Sequence, residues 1–411
     1  MLDIKFIREN KDLVKENCKN RHVSLDVDEL LKLDEQRRAS QQEVEALRAQ
    51  RKGQSKGKPS EEDIARLRKM GDEISALEKA MEEVENKYRE LLLRVPNLTH
   101  PESPIGGEED YKVVVKKGKV PEFSFPPKDH DQLMTDLDLI DFERGAKVAT
   151  SKFYFAKNNL VRLNQALMSY GMDILEKNGF TLVETPDLAK NEILSGVGFN
   201  PRGAETQVYS VEGTDLSLIG TAEITMGGYH ADEVLDLSKG PKKYAAISHC
   251  FRTEAGAYGK TSKGLYRVHQ FTKLEMFIYC KPEDSEKMHQ ELLKLEQKIA
   301  DGLELPYRVI DVASGDLGGP AYRKYDIEAW MTMKNDYGEI TSTSNCTDYQ
   351  ARRLNIKYRK EDGSTEFVHT LNGTAIVSSR FPLAVVENGQ QKDGSVVMPK
   401  ALRKYTGFKK L

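Results

Sequence analysis

The chain has 411 residues, a formal net charge of −3, 38% hydrophobic residues and 31% charged residues. That length predicts two domains, and the excess of charge over an average globular domain predicts an extended, solvated helix within it. The near-neutral balance excludes a globally basic nucleic-acid binder but not a local basic patch, and no run approaches the ~18 apolar residues of a membrane span.

The first ten residues alternate charged and apolar side chains without an apolar signal core, so secretion is not expected. Cys18, Cys250, Cys280 and Cys346 lie far apart with no CxxC. That spacing argues against a zinc knuckle or a disulfide framework and for a reducing, cytoplasmic setting.

Residues 1 to about 100 are dense in charge and nearly free of aromatics. Leu30, Leu33, Val44 and Leu47 outline a first helix, weakened in its middle by Arg37 and Ser40. Leu67, Met70, Ile74, Leu77, Met81, Val84, Tyr88, Leu91 and Val95 alternate by three and four, which predicts a coiled-coil helix. Between them stand Gly53, Gly57 and Pro59, and Ser60 before Glu61, Glu62 and Asp63 predicts a helix start with acids in its first turn. Two helices joined by one short break fold back as an antiparallel hairpin. The second, from Ser60 to Val95, would span roughly 54 Å at ~1.5 Å per residue. Arg48, Arg51, Lys52, Lys56, Lys58, Arg66, Arg68 and Lys69 make the tip basic. By itself this segment fits either a solvated coiled-coil end or a phosphate-contacting arm. A Pro/Gly-punctuated stretch, 101–130, reads as a linker with short extended pieces.

In the remainder, several motifs fail on spacing. Gly256 to Thr261 ends like a P-loop, but the glycine required five residues before Gly259 is Glu254. Ser314 to Pro320 is glycine-rich without GxGxxG. No HExxH occurs; His249 and His269 read as structural, and three glycosylation sequons carry little without a signal peptide.

Three segments survive. Tyr244 to Glu254 has strand periodicity, and period two places Arg252 and Glu254 on one face. Val268 to Tyr279 places Phe271, Lys273, Glu275 and Phe277 on one face. The loop between them carries three glycines with Lys260, Lys263 and Arg267, as in a cationic hairpin. An arginine fork, an aromatic ring and two carboxylates beneath mobile cations suit a nucleotide. The third segment, Thr370 to Arg380, fits a site strand or merely a buried strand with a surface arginine.

These residues reach a recognisable pattern. Phe251-Arg-Thr-Glu254, the loop, and Arg267-Val-His-Gln-Phe271-Thr-Lys-Leu-Glu275 resemble motif 2 of class II aminoacyl-tRNA synthetases, in the version of the seryl-tRNA synthetases. Asn178 to Pro186 resembles motif 1, and Leu371-Asn-Gly-Thr-Ala with Arg380 resembles motif 3. Thr221-Ala-Glu223 is similar to the family's serine motif; Gly315-Asp-Leu, Tyr325 to Trp330 and Glu339 through Arg353 are family-like, and HIGH and KMSKS are absent.

The resemblance implies an α+β fold: an antiparallel-sheet class II catalytic domain (131–411) behind a tRNA-binding domain (1–100) with a two-helix coiled-coil arm (27–95). It implies ATP-dependent, magnesium-assisted activation of L-serine and transfer to the 3′ end of tRNA(Ser), with tRNA(Sec) open as a second acceptor. Arg252 would bridge the serine carboxylate and the α-phosphate. Glu254 would meet the adenine, Phe271 would stack on it, and Arg380 would take its other face or the tail phosphates. Arg267 would reach the γ-phosphate, with Thr253, Val268, Ile340 and Thr341 completing the ATP site. Glu339 and Ser342 would hold Mg²⁺, although period two puts them on opposite strand faces unless a bulge intervenes. Thr221, Ala222 and Glu223 would receive the serine ammonium group, and Glu275 and Thr374 its hydroxyl. The basic tip would grip tRNA by shape and backbone. The family is homodimeric, and the resemblance assigns the subunit contact to the helix from Asn158 to Lys177, with Leu160, Leu163, Leu167, Met168, Met172 and Leu175 on one side. Lys260-Thr261 and Thr332 depart from common family residues. Two alternatives stay open: an amino acid:carrier protein ligase, which would lack the arm, and an inactive coiled-coil interaction protein, which would have lost Arg252, Glu275 or Arg380.

Overall fold

A computed structural model describes residues 1–54, 60–199, 207–254 and 264–411. The chain divides into two compact units, Met1–Leu98 and Thr99–Leu411.

The first unit is helical: α1 (Ile4–Glu9), α2 (Lys11–Asn20), α3 (Val27–Gln54) and α4 (Glu61–Arg94). Ser60 caps α4, accepting from the Asp63 amide while the Asp63 carboxylate returns a bond to the Ser60 amide. This reciprocal box satisfies two of the amides left open at a helix start. Arg37 pairs with Glu85 and Arg48 with Glu78, a register in which one partner rises as the other falls, so α3 and α4 run antiparallel. Ile7, Val14, Leu30, Leu33, Tyr88 and Leu92 bury a core at the base. The carboxylate of Asp34, wholly buried there, faces Arg8, Arg37 and Arg38 at 3.2–3.4 Å.

The second unit is built on an eight-stranded sheet. In chain order its strands are β1 (Lys112–Lys117), β2 (Thr181–Glu184), β3 (Lys242–Phe251), β4 (Gln270–Cys280), β5 (Tyr307–Asp311), β6 (Arg323–Met331), β7 (Asp336–Asn345) and β8 (His369–Val377). The spatial order is β1-β5-β6-β7-β8-β4-β3-β2. Every neighbouring pair is antiparallel except β2 with β3 at one edge. The stretch read as a linker therefore contributes an edge strand, β1, whose Val/Lys run pairs with β5.

The helices used below are α5 (Asn159–Lys177), α6 (Ala222–Gly228), α7 (Ser285–Gly302), α8 (Tyr349–Leu354) and α9 (Arg380–Gly389). Leu274, Met276, Ile278 and Cys280 of β4 enter the larger core with α5 and α7, while Phe277 and Tyr279 enter a second core with α6 and α8. Period two thus splits β4 between its faces. Gly171 lets α5 press onto the sheet, since a Cβ there would lie 2.8 Å from Ile376 and 2.9 Å from Leu274.

That packing corrects one expectation. Leu160, Leu163, Leu167, Met168 and Leu175, assigned to a subunit contact, are buried inside this chain's own core, with Met172 packed against it. The amphipathic stripe of α5 meets the sheet first, because the apolar strands β4 and β8 are the nearest surface to bury it.

Candidate active site

A cleft opens at the ends of β3, β4, β7 and β8. It is lined by Arg252, Glu254, Arg267, Val268, Phe271, Glu339, Ile340, Thr341, Thr374 and Arg380, all expected from the sequence, and by Tyr266, Lys273, Val377 and Ser379.

Arg252 follows the last residue of β3. His269 clamps its backbone from both sides: the Arg252 amide donates to the His269 carbonyl at 2.9 Å, and Nδ1 of His269 donates to the Arg252 carbonyl at 2.9 Å. The expected structural histidine thus fixes the central cation. Arg252 Nε donates to the Gly220 carbonyl at 3.2 Å, and the guanidinium lies 5.3 Å from the Phe271 ring centroid. Arg252 lines the cleft, and its Nε bond is the one side-chain hydrogen bond it makes among the described residues.

Glu254 reaches the cleft by a different route from the one expected. β3 ends at Phe251, and Glu254 has φ of +50°, in the left-handed region that a non-glycine residue rarely adopts. Strand alternation therefore does not place it; its own left-handed backbone does. Its Oε2 accepts from Arg267 Nη1 at 3.0 Å, so acid and cation hold each other across the hairpin. Thr253 is not among the lining residues; its amide donates to the Gln207 carbonyl. The loop cations Lys260 and Lys263, with Thr261, lie outside the described residues.

Arg380 opens α9, its Nε donating to the Tyr266 carbonyl at 2.9 Å and its Nη1 to the Glu339 carbonyl at 2.5 Å. Its guanidinium stands 4.0 Å from the Tyr266 centroid, and Lys334 Nζ stands 3.6 Å from the same ring. Cations on a ring face are attracted by its quadrupole.

The question of Glu339 and Ser342 is answered by register. Ile327 pairs with Thr341 and Glu328 with Glu339, so Ile340 is an extra, bulged residue. One inserted residue restores Glu339 and Ser342 to a common side. Ser342 lies opposite Asp326 on the neighbouring strand. The Glu339 side chain is 49% exposed. The walls around it raise its pKa, but Arg380, Lys324, Arg252 and Arg267 outweigh them and hold it below its ordinary value. Burial pushes Asp326 up to about 7, and its Oδ1 is buried without a hydrogen-bond partner. These oxygens are the donor type a hard divalent cation takes.

The amino-acid side of the site lies deeper. Ala246 and Thr374 flank Glu275 on neighbouring strands, and Thr374 Oγ1 donates to Glu275 Oε2 at 3.3 Å. Lys273 Nζ meets the same oxygen at 2.6 Å, and both side chains are under 10% exposed. The strand pattern had placed Lys273 beside Glu275 without giving it a role. Thr221 caps α6 by accepting from the Glu223 amide, and Ala222 is buried. Glu223 Oε1 accepts from Gln350 Nε2 at 2.8 Å. Burial, then the neighbouring Glu275, push the Glu223 carboxyl up to about 7 against the opposing Lys273, Gln350 and Arg252. No sequence signal singles out Gln350, because a six-residue helix has too little periodicity to aim one side chain.

At the arm, Arg48 is tied to Glu78 and Arg66 to Asp63. Arg51, Arg68 and Lys69 are exposed, with no carboxylate within 4 Å among the described residues, and Lys52 is exposed too. Lys56 and Lys58 lie outside those residues.

Comparison with known proteins agrees with this geometry. Residues 207–389 match the family model described as tRNA synthetase class II core domain (G, H, P, S and T), so the sheet and cleft are those of a class II synthetase. Residues 1–99 match the seryl-tRNA synthetase N-terminal domain. The serine–tRNA ligase of Treponema denticola is 53% identical, with 100% of each chain covered. The crystal structure of seryl-tRNA synthetase from Pyrococcus horikoshii complexed with ATP is 40% identical, covers 100% of this chain and 99% of its own, and superposes with a TM-score of 0.91. The cytoplasmic serine–tRNA ligase of Naegleria fowleri, solved with AMP, is 33% identical with a TM-score of 0.86, over 100% and 98% of the two chains. The chain belongs to the seryl-tRNA synthetase family.

Proposed function

We propose that the cleft activates L-serine with ATP and that the seryl group passes to the 3′ end of tRNA(Ser), the reaction of a serine–tRNA ligase. The observation that carries this reading is the joining of a cation-lined cleft, with Arg252, Arg267 and Arg380 on its walls, to the buried Lys273–Glu275–Thr374 cluster. The serine carboxylate is the nucleophile. Its oxygen bonds to the α-phosphorus as the bond to pyrophosphate breaks, so no protein nucleophile is needed. The chain contributes position and charge.

Arg252 bridges the serine carboxylate and the α-phosphate. Phe271 stacks on adenine, Glu254 meets its edge, and Arg380 covers its other face or the tail. Arg267 holds the γ-phosphate. Glu339 and Ser342 would hold Mg²⁺ that arrives with ATP, a role supported by the bulge that puts both on one side. Bound there, the ion would supply positive charge against the phosphates. Thr221 and Glu223 take the serine ammonium group, and Glu275 and Thr374 take the hydroxyl. A buried site that hydrogen-bonds a hydroxyl disfavours alanine, which leaves those groups unpaired.

Residues 1–100 are the tRNA-binding domain, and the exposed arm-tip cations contact the tRNA backbone. tRNA(Sec) is a second acceptor to test. We also read the chain as a cytoplasmic homodimer. Since the apolar stripe of α5 is used internally, Leu182 on the edge strand β2, 41% exposed, is a better candidate for the subunit contact. No described helix is long and apolar enough to cross a membrane. Full-length kinship to serine–tRNA ligases disfavours both the carrier-protein ligase and the inactive scaffold.

Amino-acid-dependent ATP–pyrophosphate exchange tests the substrate assignment: serine gives the fastest exchange, and a rate no higher than with alanine or glycine rejects it. Deleting residues 28–95 abolishes tRNA charging and spares exchange. Charging that survives the deletion removes the arm from RNA capture.

A further inference from the structure

Gln350 belongs to none of the groups given a role above, yet its side chain makes three hydrogen bonds beside the amino-acid site. It stands in the first turn of α8 and is wholly buried. Its Nε2 donates to the Val197 carbonyl at 3.0 Å and to Glu223 Oε1 at 2.8 Å. Its Oε1 accepts from the Thr370 hydroxyl at 2.7 Å. Both amide hydrogens and one oxygen lone pair are therefore in use.

The chemistry of the partners fixes which way the amide faces. Turned over, its oxygen would confront the Val197 carbonyl oxygen, which has no proton to give, and the ionised form of Glu223. Glutamate would place a carboxylate in that same position, methionine would supply no donor, and asparagine is one methylene too short. Only glutamine's length and donor–acceptor pair satisfy all three neighbours.

Thr370 lies on β8, four residues before Thr374. Thr374 bonds Glu275, and Gln350 bonds Glu223. Two members of one strand thus hold the two carboxylates: Thr374 directly, and Thr370 through Gln350. We propose that Gln350 is a positioning and specificity-determining residue, whose buried amide sets the Glu223 carboxylate relative to the Glu275–Thr374 pair. The pocket then fits a molecule carrying an ammonium group and a hydroxyl at one fixed spacing. This inference rests on the assignment of Glu223 to the serine ammonium group.

The test is pyrophosphate exchange by the full chain, with KM for serine and for ATP measured separately, and thermal unfolding recorded for every variant. Gln350→Met raises the serine KM about tenfold or more and leaves the ATP KM within about twofold, because the lost bond orients only the amino acid. Thr370→Val, which leaves Glu223 and Gln350 in place but frees the amide's oxygen side, raises the serine KM about threefold; it carries the test if Gln350→Met does not fold. A serine KM that stays within twofold in a folded Gln350→Met, or in Thr370→Val when only that variant folds, overturns the proposal. So does an equal rise in both KM values, the mark of a general structural lesion. Glu223→Gln separates the two levels of the argument. If it leaves the serine KM unchanged, the ammonium assignment has failed and this inference with it. If it raises the serine KM while Gln350→Met does not, the assignment stands and the role given to Gln350 is wrong.

Discussion

Glu223 gives the sharpest expectation about pH. Its carboxyl is pushed up to about 7, first by burial and then by Glu275, with Lys273, Gln350 and Arg252 acting the other way. An incoming ammonium group requires the anion. With a pKa near 7, roughly one molecule in eleven is ionised one pH unit below and ten in eleven one unit above. The sign follows directly: a protonated Glu223 competes with serine, so the serine KM falls as pH rises. Between pH 6 and pH 8 the fall is about tenfold, because only the ionised fraction binds. The assay is pyrophosphate exchange at saturating ATP, with serine titrated at pH 6, 7 and 8. Glu223→Gln removes the titrating group, so its serine KM is higher throughout and nearly flat with pH. A wild-type KM that changes less than twofold over this range refutes the reasoning, as does an equal pH dependence in Glu223→Gln.

Three further substitutions probe other parts of the molecule. Arg252→Lys keeps the charge but loses the planar fork, and kcat for exchange falls by about 10² or more, read from initial rates. Thr374→Val removes the hydroxyl bonded to Glu275, and the preference for serine over alanine in kcat/KM narrows by roughly five- to thirty-fold, for ~1–2 kcal/mol of lost hydrogen bonding. Asp34→Ala leaves Arg8, Arg37 and Arg38, partly solvated, without their shared carboxylate, and destabilises the first unit by about 1 kcal/mol, seen as a lowered denaturation midpoint of its helical signal.

Local patterns in the sequence carried much of the architecture. The three-four alternation from Leu67 to Val95 and the Ser60–Asp63 box are written in neighbouring residues, and the helix they predict is Glu61–Arg94 between its two caps. The alternation in β4 likewise put Lys273 and Glu275 on one face, since strand geometry depends only on the adjoining backbone. Tertiary structure decided what lies between distant segments. A bulge at Ile340 brings Glu339 and Ser342 to one side, a left-handed residue beyond the strand end delivers Glu254, and the stripe on α5 packs into the chain's own core. Gln350 meets Glu223 across 127 residues of sequence. Such a contact depends on how the sheet and helices stack, because a hydrogen bond needs a partner within about 3 Å and chain order alone does not set that distance.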